Sequence, residues 1–375
     1  MSEKRGLPIE GVVEAVGKAI ADVPIGEPSF GDEGYKPFEL KTENFHPLPK
    51  RTIDRRIAFV DGGSARLLSA PNLAIGLTRV YFGLFQGDKR VEPSNIPSKI
   101  DFFSVCYAIV TSNHIVYKTE LFPVKEQYRQ FLPDEHDLEF NSFDRSLMSG
   151  FQRVVISRVL DVVRAFAEWR FAKNVIDWEL ARDDVIVRDG TLQNIVTNES
   201  RYSEETYDAA LKKGVYLTAL SKTSSLFTDT GQPLFPSIKI LSEGSALKDS
   251  AWYYYPIVDI AHPDHKAVMF AVRLHECSDY VFRFEVFKDQ VSPHNLGEVE
   301  LVFSSLAANS RDVGFPGYPY GLIDADRFAR ISMAEKEVYE FQSRATLSSQ
   351  KKIWDKISKY LRSSDAHDIL NKLIK

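Results

Sequence analysis

A chain of 375 residues with 44% hydrophobic content can bury a substantial core in one or two structural units. Its 47 lysines and arginines against 52 aspartates and glutamates leave a formal charge of −5, which excludes coating of nucleic acid by bulk electrostatics and leaves room only for a local basic channel. Two cysteines, Cys106 and Cys277, lie in apolar segments without CxxC or Cys/His spacing, which argues against zinc or disulfide frameworks and predicts buried, reduced thiols in a cytoplasmic protein.

Residues 8–23 set Ile9, Val12, Val13, Val16 and Ile20 along one stripe, which predicts a helix. Interspersed charges at the start argue against a signal peptide, and no stretch holds 18 uninterrupted apolar residues, so no membrane span is predicted. "PIGEPSFGDEGYKPFELKTENFHPLPK" then predicts a wandering arm, giving an N-terminal unit over 1–50. The basic cluster "KRTIDRR", residues 50–56, reads either as a solvated linker or as a contact for a DNA backbone.

"RRIAFVDGGSARLL", residues 55–68, predicts a strand that stops at Asp61, with Ile57, Phe59 and Asp61 on one face. "LAIGLTRVYFGLFQ" and "DFFSVCYAIVTSNHIVYKTELF" predict further strands, with a hairpin turn at 111–114. Between 143 and 173, Phe151, Val155, Val159, Val162, Phe166 and Trp169 recur at helical intervals and predict one long helix. "DDVIVRDGTLQ", residues 183–193, repeats the first device: an apolar strand, an aspartate, a glycine and a hydroxyl residue. A helix, the strand "GVYLTALSK" and a loop are predicted up to 248, then strands at 251–261, 267–275 and 279–287, with "AWYYYP" packing a sheet. "DIAHPDHKAV" brings His262 and His265 near Asp259 and Asp264 but reads as a solvated hairpin turn rather than a metal site. "SPHNLGEVELVFSSLAANSRD" predicts a helix capped by Ser292 with Pro293 in its first turn, and helical spacing resumes over 322–345. In the closing segment Ile353, Trp354, Ile357, Tyr360 and Leu361 share a face that covers its own domain or a partner.

The acids carry the chemistry. Asp61 and Asp189 each follow an apolar strand and precede a glycine, and such strand ends are where sheets flanked by helices place ligand chemistry. Neighbouring strands would bring the two carboxylates together, and both stay ionised near neutral pH only with a divalent metal or a base beside them. Oxygen ligands select Mg²⁺ or Mn²⁺. The hydroxyls of Ser64 and Thr191 stand within reach of a phosphate or a water. Glu168, beside the apolar stripe of the 143–173 helix, is a third acid, with a salt bridge to Arg164 at i−4 as its purely structural alternative.

"FVDGGSARL", a long hairpin, a helix carrying "FAEWRFA", then "VIVRDGTL", "ALSKTS" and "GYPYGLIDADRFARIS" occur in an order that resembles the NurA family of DNA-repair nucleases, over roughly residues 55–335. The resemblance implies an α/β, ribonuclease-H-like mixed sheet flanked by helices, here a nuclease domain over 51–345 with a C-terminal helical extension over 346–375. It implies two metal ions, typically manganese, held by Asp61, Glu168 and Asp189. Tyr318 matches the family's tyrosine, but where the family has a histidine eight residues on, this chain has Asp326, which coordinates a hard metal yet cannot act as an imidazole proton donor. Lys222 occupies a position where the family often has lysine and where a cation neutralises a phosphate oxygen. The implied chemistry is two-metal phosphodiester hydrolysis, with ions roughly 3.5–4 Å apart. Phe315, Tyr318 and Tyr320 stand where they would either stack on bases or pack a core. The implied partners are DNA, a second copy of the chain and a HerA-type hexameric translocase, in end resection or phage defence. Two other readings compete: an actin-like or sugar-kinase-like ATPase, whose phosphate hairpins also begin Asp-Gly-Gly-hydroxyl, and a catalytically silent adaptor of the translocase.

Overall fold

A computed structural model of the chain describes residues 8–20, 23–49, 55–112, 114–292 and 296–361. The first apolar stripe forms α1 (Pro8–Ile20), where Ile9, Val12, Val13 and Val16 are exposed. The arm behind it does not wander. Its strands β1 (Pro28–Ser29), β2 (Tyr35–Pro37) and β3 (Phe45–Pro47) each pair with a strand from beyond residue 226.

β-branched and aromatic residues then hold the backbone extended through an antiparallel run: β4 (Arg56–Ala70), β5 (Leu73–Gln86), β6 (Lys89–Val91), β7 (Lys99–Thr111), β8 (His114–Pro123) and β9 (Phe140–Asn141). The hairpin turn at 111–114 is where the sequence places it. The first long strand, however, does not stop at Asp61; it runs nine residues further, because β5 continues opposite it and pairs Asp61 with Tyr81. The predicted 143–173 helix starts late, at α2 (Arg158–Trp178). Gly150 takes a left-handed φ of 61°, residues 143–157 run as turns, and Phe151 and Val155 face solvent, whereas Val159, Val162, Phe166 and Trp169 are buried.

The remaining elements are β10 (Val185–Asp189), α3 (Glu199–Lys213), β11 (Tyr216–Ser221), β12 (Phe227–Thr228), α4 (Leu234–Ser242), β13 (Trp252–Tyr254), β14 (Val258–Ile260), β15 (Ala267–Arg273), β16 (Phe282–Phe287), α5 (Gly297–Asn309), α6 (Tyr320–Ala329) and α7 (Met333–Ser349). Several differ from the sequence reading: the one strand predicted over 251–261 divides into β13 and β14, which lie in different sheets. Helix α4 replaces part of a predicted loop. Ser292 caps nothing, since α5 begins at Gly297 after Leu296, and Pro293 lies outside the described residues. The predicted 322–345 helix breaks into α6 and α7, because Ser332 takes an extended conformation and its hydroxyl caps the second helix by accepting from Glu335 N at 3.2 Å. The boundary expected at 345/346 therefore falls inside α7. Beyond it, residues 351–361 are helical and lay Trp354, Ile357 and Leu361 on Leu68 and Ala70 of β4, while Ile353 and Tyr360 remain exposed. Cys106 is buried as expected, but Cys277 is exposed, being in the turn after β15 rather than in a strand.

Twelve strands join in one sheet, ordered β3-β13-β15-β16-β11-β10-β4-β5-β7-β8-β9 with β6 on β5. Its centre, β7-β5-β4-β10-β11, combines an antiparallel meander with two parallel pairings, β4 with β10 and β10 with β11. This is the ribonuclease-H-like α/β mixed sheet, with helices on both faces. Alternation divides the strands cleanly. Ala58, Val60 and Ile186 face the core built with α2 and α3, and Ile57, Phe59, Val185 and Val187 face the core built with α5 and α6.

Candidate active site

Parallel pairing of β4 and β10 sets Arg188 opposite Val60, so the next residue of each strand, Asp61 and Asp189, emerges side by side. Both belong to the odd-numbered face, toward α6. That helix contributes Asp326, and one carboxylate oxygen from each of Asp61, Asp189 and Asp326 lies within 4.8 Å of the others. Among the described residues, this is the one grouping of three potential metal-binding side chains.

The two glycines after Asp61 now have a physical reason. A Cβ on Gly63 would stand 2.2 Å from the carbonyl oxygen of Ala329, so only a glycine lets the end of α6 cross β4 closely enough to bring Asp326 over the strand. A Cβ on Gly62 would stand 2.6 Å from Glu168 Oε1, on the opposite face. The first glycine admits an acid from α2, and the second admits the helix that carries another.

Acids and cations are interleaved here. Burial, then Glu168 and Asp189, push the Asp61 carboxyl up to about 7, although its Oδ1 accepts the Gly62 N–H at 2.7 Å. Lys222, from the "LSKTS" segment after β11, bridges Asp189 at 2.7 Å and Asp326 at 3.1 Å. Burial disfavours its charge, but the two aspartates outweigh that and hold its pKa above the ordinary lysine value. Arg330, four residues on from Asp326, pairs with it at 2.8 Å. The sequence reading omitted Arg330, although i,i+4 spacing on a helix could have found it.

Glu168 is buried but does not join the three aspartates. Its Oε1 takes a short ion pair from Arg164, and its Oε2 accepts Arg188 Nη2 at 3.1 Å. The structural alternative weighed for it, a bridge to Arg164, is thus present, with a second arginine that precedes Asp189 and lies over the Trp169 ring. Arg188 also donates to the Thr191 carbonyl at 2.7 Å, tying the loop after Asp189 to the same group. Ser64 is exposed and paired opposite Thr78, and the Thr191 hydroxyl accepts from Gln193 N at 3.4 Å.

Tyr318 is buried between α5 and α6, and its hydroxyl has no hydrogen-bond partner in the protein. Burial, followed by Asp189, Asp61 and Asp326, raises its pKa far above the usual phenol range, so it stays protonated. Phe315 lies against it, joined by Tyr280 and Phe282, which the sequence reading left out; Tyr320 instead meets Phe85 edge-on. Of the basic cluster, residues 50–54 lie outside the described residues. Arg56 pairs with Asp184 at 2.8 Å, and Arg55 is buried over the Tyr216 ring.

The reading of "DIAHPDHKAV" as a solvated turn fails at His265. It is fully buried, with Nδ1 at 3.0 Å from the Tyr35 hydroxyl and Nε2 at 3.1 Å from Glu285, a carboxylate that Arg283 also holds. The missing signal was tertiary, since Tyr35 and Glu285 reach it from distant segments.

No helix among the described residues is long and apolar enough to cross a membrane. No curated protein matches this chain. Among solved structures it is similar to the NurA nuclease from Sulfolobus solfataricus, with a TM-score of 0.49 and 12% identity over 92% of this chain and 95% of that one. A more distant likeness is to Argonaute from Aquifex aeolicus, with a TM-score of 0.29 and 9% identity over 74% of this chain and 28% of that one. The family model described as the NurA domain matches residues 55–331, a span that takes in Asp61, Glu168, Asp189, Lys222, Tyr318 and Asp326 together, and the chain belongs to the NurA family.

Proposed function

We propose that the chain is a metal-dependent DNA nuclease, hydrolysing phosphodiester bonds where Asp61, Asp189 and Asp326 converge. The observation that carries this reading is the convergence itself: two strands and a helix, distant in sequence, bring three carboxylates within 4.8 Å in a chain of the NurA family. An all-oxygen donor set of three carboxylates fits hard divalent ions, Mn²⁺ or Mg²⁺, two of which the proposed chemistry needs. Such ions supply Lewis-acid polarisation of a phosphoryl group and a lowered pKa of water.

The chain's own residues do the rest. Asp61, Asp189 and Asp326 would hold the ions. Glu168, beside Gly62, raises the proton affinity of Asp61 and holds Arg164 and Arg188 in place. Lys222 and Arg330 are placed to neutralise phosphate oxygens once the aspartates turn to metal. Asp326 does not replace the proton-donating role of a histidine. Tyr318, protonated and without a partner, is the group able to donate a hydrogen bond to a substrate oxygen. Family membership also supports action as a homodimer with a HerA-type hexameric translocase, in end resection or phage defence.

The test is cleavage of linear DNA by the purified chain in Mn²⁺, with Asp189→Asn and Asp326→Asn beside it. Loss of cleavage in both variants is expected. Wild-type rates in both would overturn the assignment.

A further inference from the structure

Beside the acids, Lys222, Asp326 and Arg330 open into a pocket of about 450 Å³ walled by Tyr280, Phe282, Phe315, Tyr318 and Ile323. That volume falls within the roughly 300–1,000 Å³ of small-molecule sites. Its lining joins three charged side chains to a set of rings, a combination that matches a nucleotide, whose phosphate would meet Lys222 and Arg330 and whose base would meet the rings.

The rings form a connected set. Tyr280 lies 5.1 Å from Phe315 and stacks on Phe282 at 6.2 Å, while Phe282 and Phe315 lie 5.2 and 5.5 Å from Tyr318. Phe282 and Tyr318 are ordinary core residues by burial. Tyr280 is not, for it is 55% exposed, and Phe315 is half-buried, so the cluster presents aromatic surface to solvent at the mouth of the site.

The walls are also preformed. Gly317, at φ 90°, crosses the turn before β16 so tightly that a Cβ there would stand 2.4 Å from Ser278 Oγ. Ser278 Oγ donates to the Tyr280 carbonyl and accepts its N–H, and the Ser278 carbonyl accepts from Arg273 at 2.9 Å. The loop carrying Phe315 and the turn carrying Tyr280 are therefore clamped together, so little ordering is required of them when a ligand enters.

We infer that this pocket seats the base of the nucleotide adjoining the phosphate to be cut, by stacking and without choosing among bases. The inference rests on the nuclease reading above. A base inside a duplex has both faces covered by its neighbours, so the nucleotide that enters is unpaired.

The experiment uses the full chain with Ca²⁺ in place of Mn²⁺, so that a hard ion occupies the carboxylates while binding is read without cleavage. The probes are single-stranded hexadeoxynucleotides carrying 2-aminopurine, or an abasic residue, at each position in turn. At one position the wild-type chain quenches 2-aminopurine, and the abasic probe binds about tenfold more weakly, the low end of what a lost base–aromatic stack costs. Tyr280→Ala loses the same factor with the intact probe and nothing further with the abasic one. Phe315→Leu, which keeps the apolar packing, shows the same pattern. Equal binding of intact and abasic probes at every position would overturn the inference, as would equal weakening of both probes by Tyr280→Ala. Base dependence without cleavage in Mn²⁺ would leave the pocket standing and remove the nuclease reading. Cleavage without base dependence would do the reverse.

Discussion

Replacing Gly63 by alanine tests the link between strand β4 and the acid on α6. The new Cβ would stand 2.2 Å from the Ala329 carbonyl oxygen and 2.9 Å from its carbon, where ordinary contact begins near 3.4 Å, so the two backbones must part by roughly 1 Å. Neither side yields easily. Gly63 pairs with Arg79 in the middle of the β4–β5 ladder, and Arg79 donates to the Arg330 carbonyl at 3.2 Å while bound to Asp101 and Glu335. Overpacking of this kind costs about 1–3 kcal/mol. Asp326 is three residues from Ala329 and Arg330 is one, so the displacement reaches both. A misplacement of about 1 Å at a reacting centre costs on the order of 10²-fold in rate. Gly63→Ala should therefore lower kcat on linear DNA in Mn²⁺ by that order, weaken Mn²⁺ binding in calorimetry and lower Tm by a few degrees. Ser64→Ala, one residue on and exposed, should leave all three unchanged. Full kcat and full Mn²⁺ affinity in Gly63→Ala, with only Tm reduced, would refute the argument that this crossing positions Asp326.

Further outcomes follow from the charges. Asp61→Asn should abolish cleavage yet stabilise the metal-free chain: the folded carboxyl, near 7, lies above its unfolded value of 3.8, so its ionisation destabilises the fold increasingly as pH rises between them. Melting in EDTA at pH 8 measures this, and a lowered Tm would contradict it. Glu168→Ala strands the buried Arg188 and should cost about 3–5 kcal/mol in urea unfolding, with Glu168→Gln costing distinctly less. Equal stability of the two variants would show that the arginines do not depend on that carboxylate. Burial alone would raise the Glu285 carboxyl, but Arg283, His265 and the Leu192 N–H outweigh it and hold it at about 2. Its stabilisation is therefore complete above about pH 4.5 and is lost as pH falls toward 2. The stability gap between wild type and Glu285→Gln should shrink as pH falls below 4.5; a gap that stays constant there would refute the pairing.

Local pattern was enough for those features that depend on neighbours in sequence. Alternating apolar residues before Asp61 and Asp189, the hairpin at 111–114 and the buried "AWYYYP" strand all follow from period and propensity, and the order of motifs pointed to the family. Where the elements end was another matter. β4 continues past Asp-Gly-Gly because β5 offers partners on its flank, and α2 starts after Val155 because the preceding turns expose Phe151; neither fact is written in the segment itself. Tertiary structure alone decided which acids meet. Parallel pairing of β4 with β10 brings Asp61 beside Asp189, and the crossing at Gly63 brings Asp326 over them. Glu168 reaches the same strand from α2, beside Gly62, but Arg164 and Arg188 hold its carboxylate there. The same holds for His265, whose partners Tyr35 and Glu285 come from the N-terminal arm and from β16. Sequence fixes which chemistry a side chain offers, whereas convergence depends on strand order and register, which are properties of contacts between segments far apart along the chain.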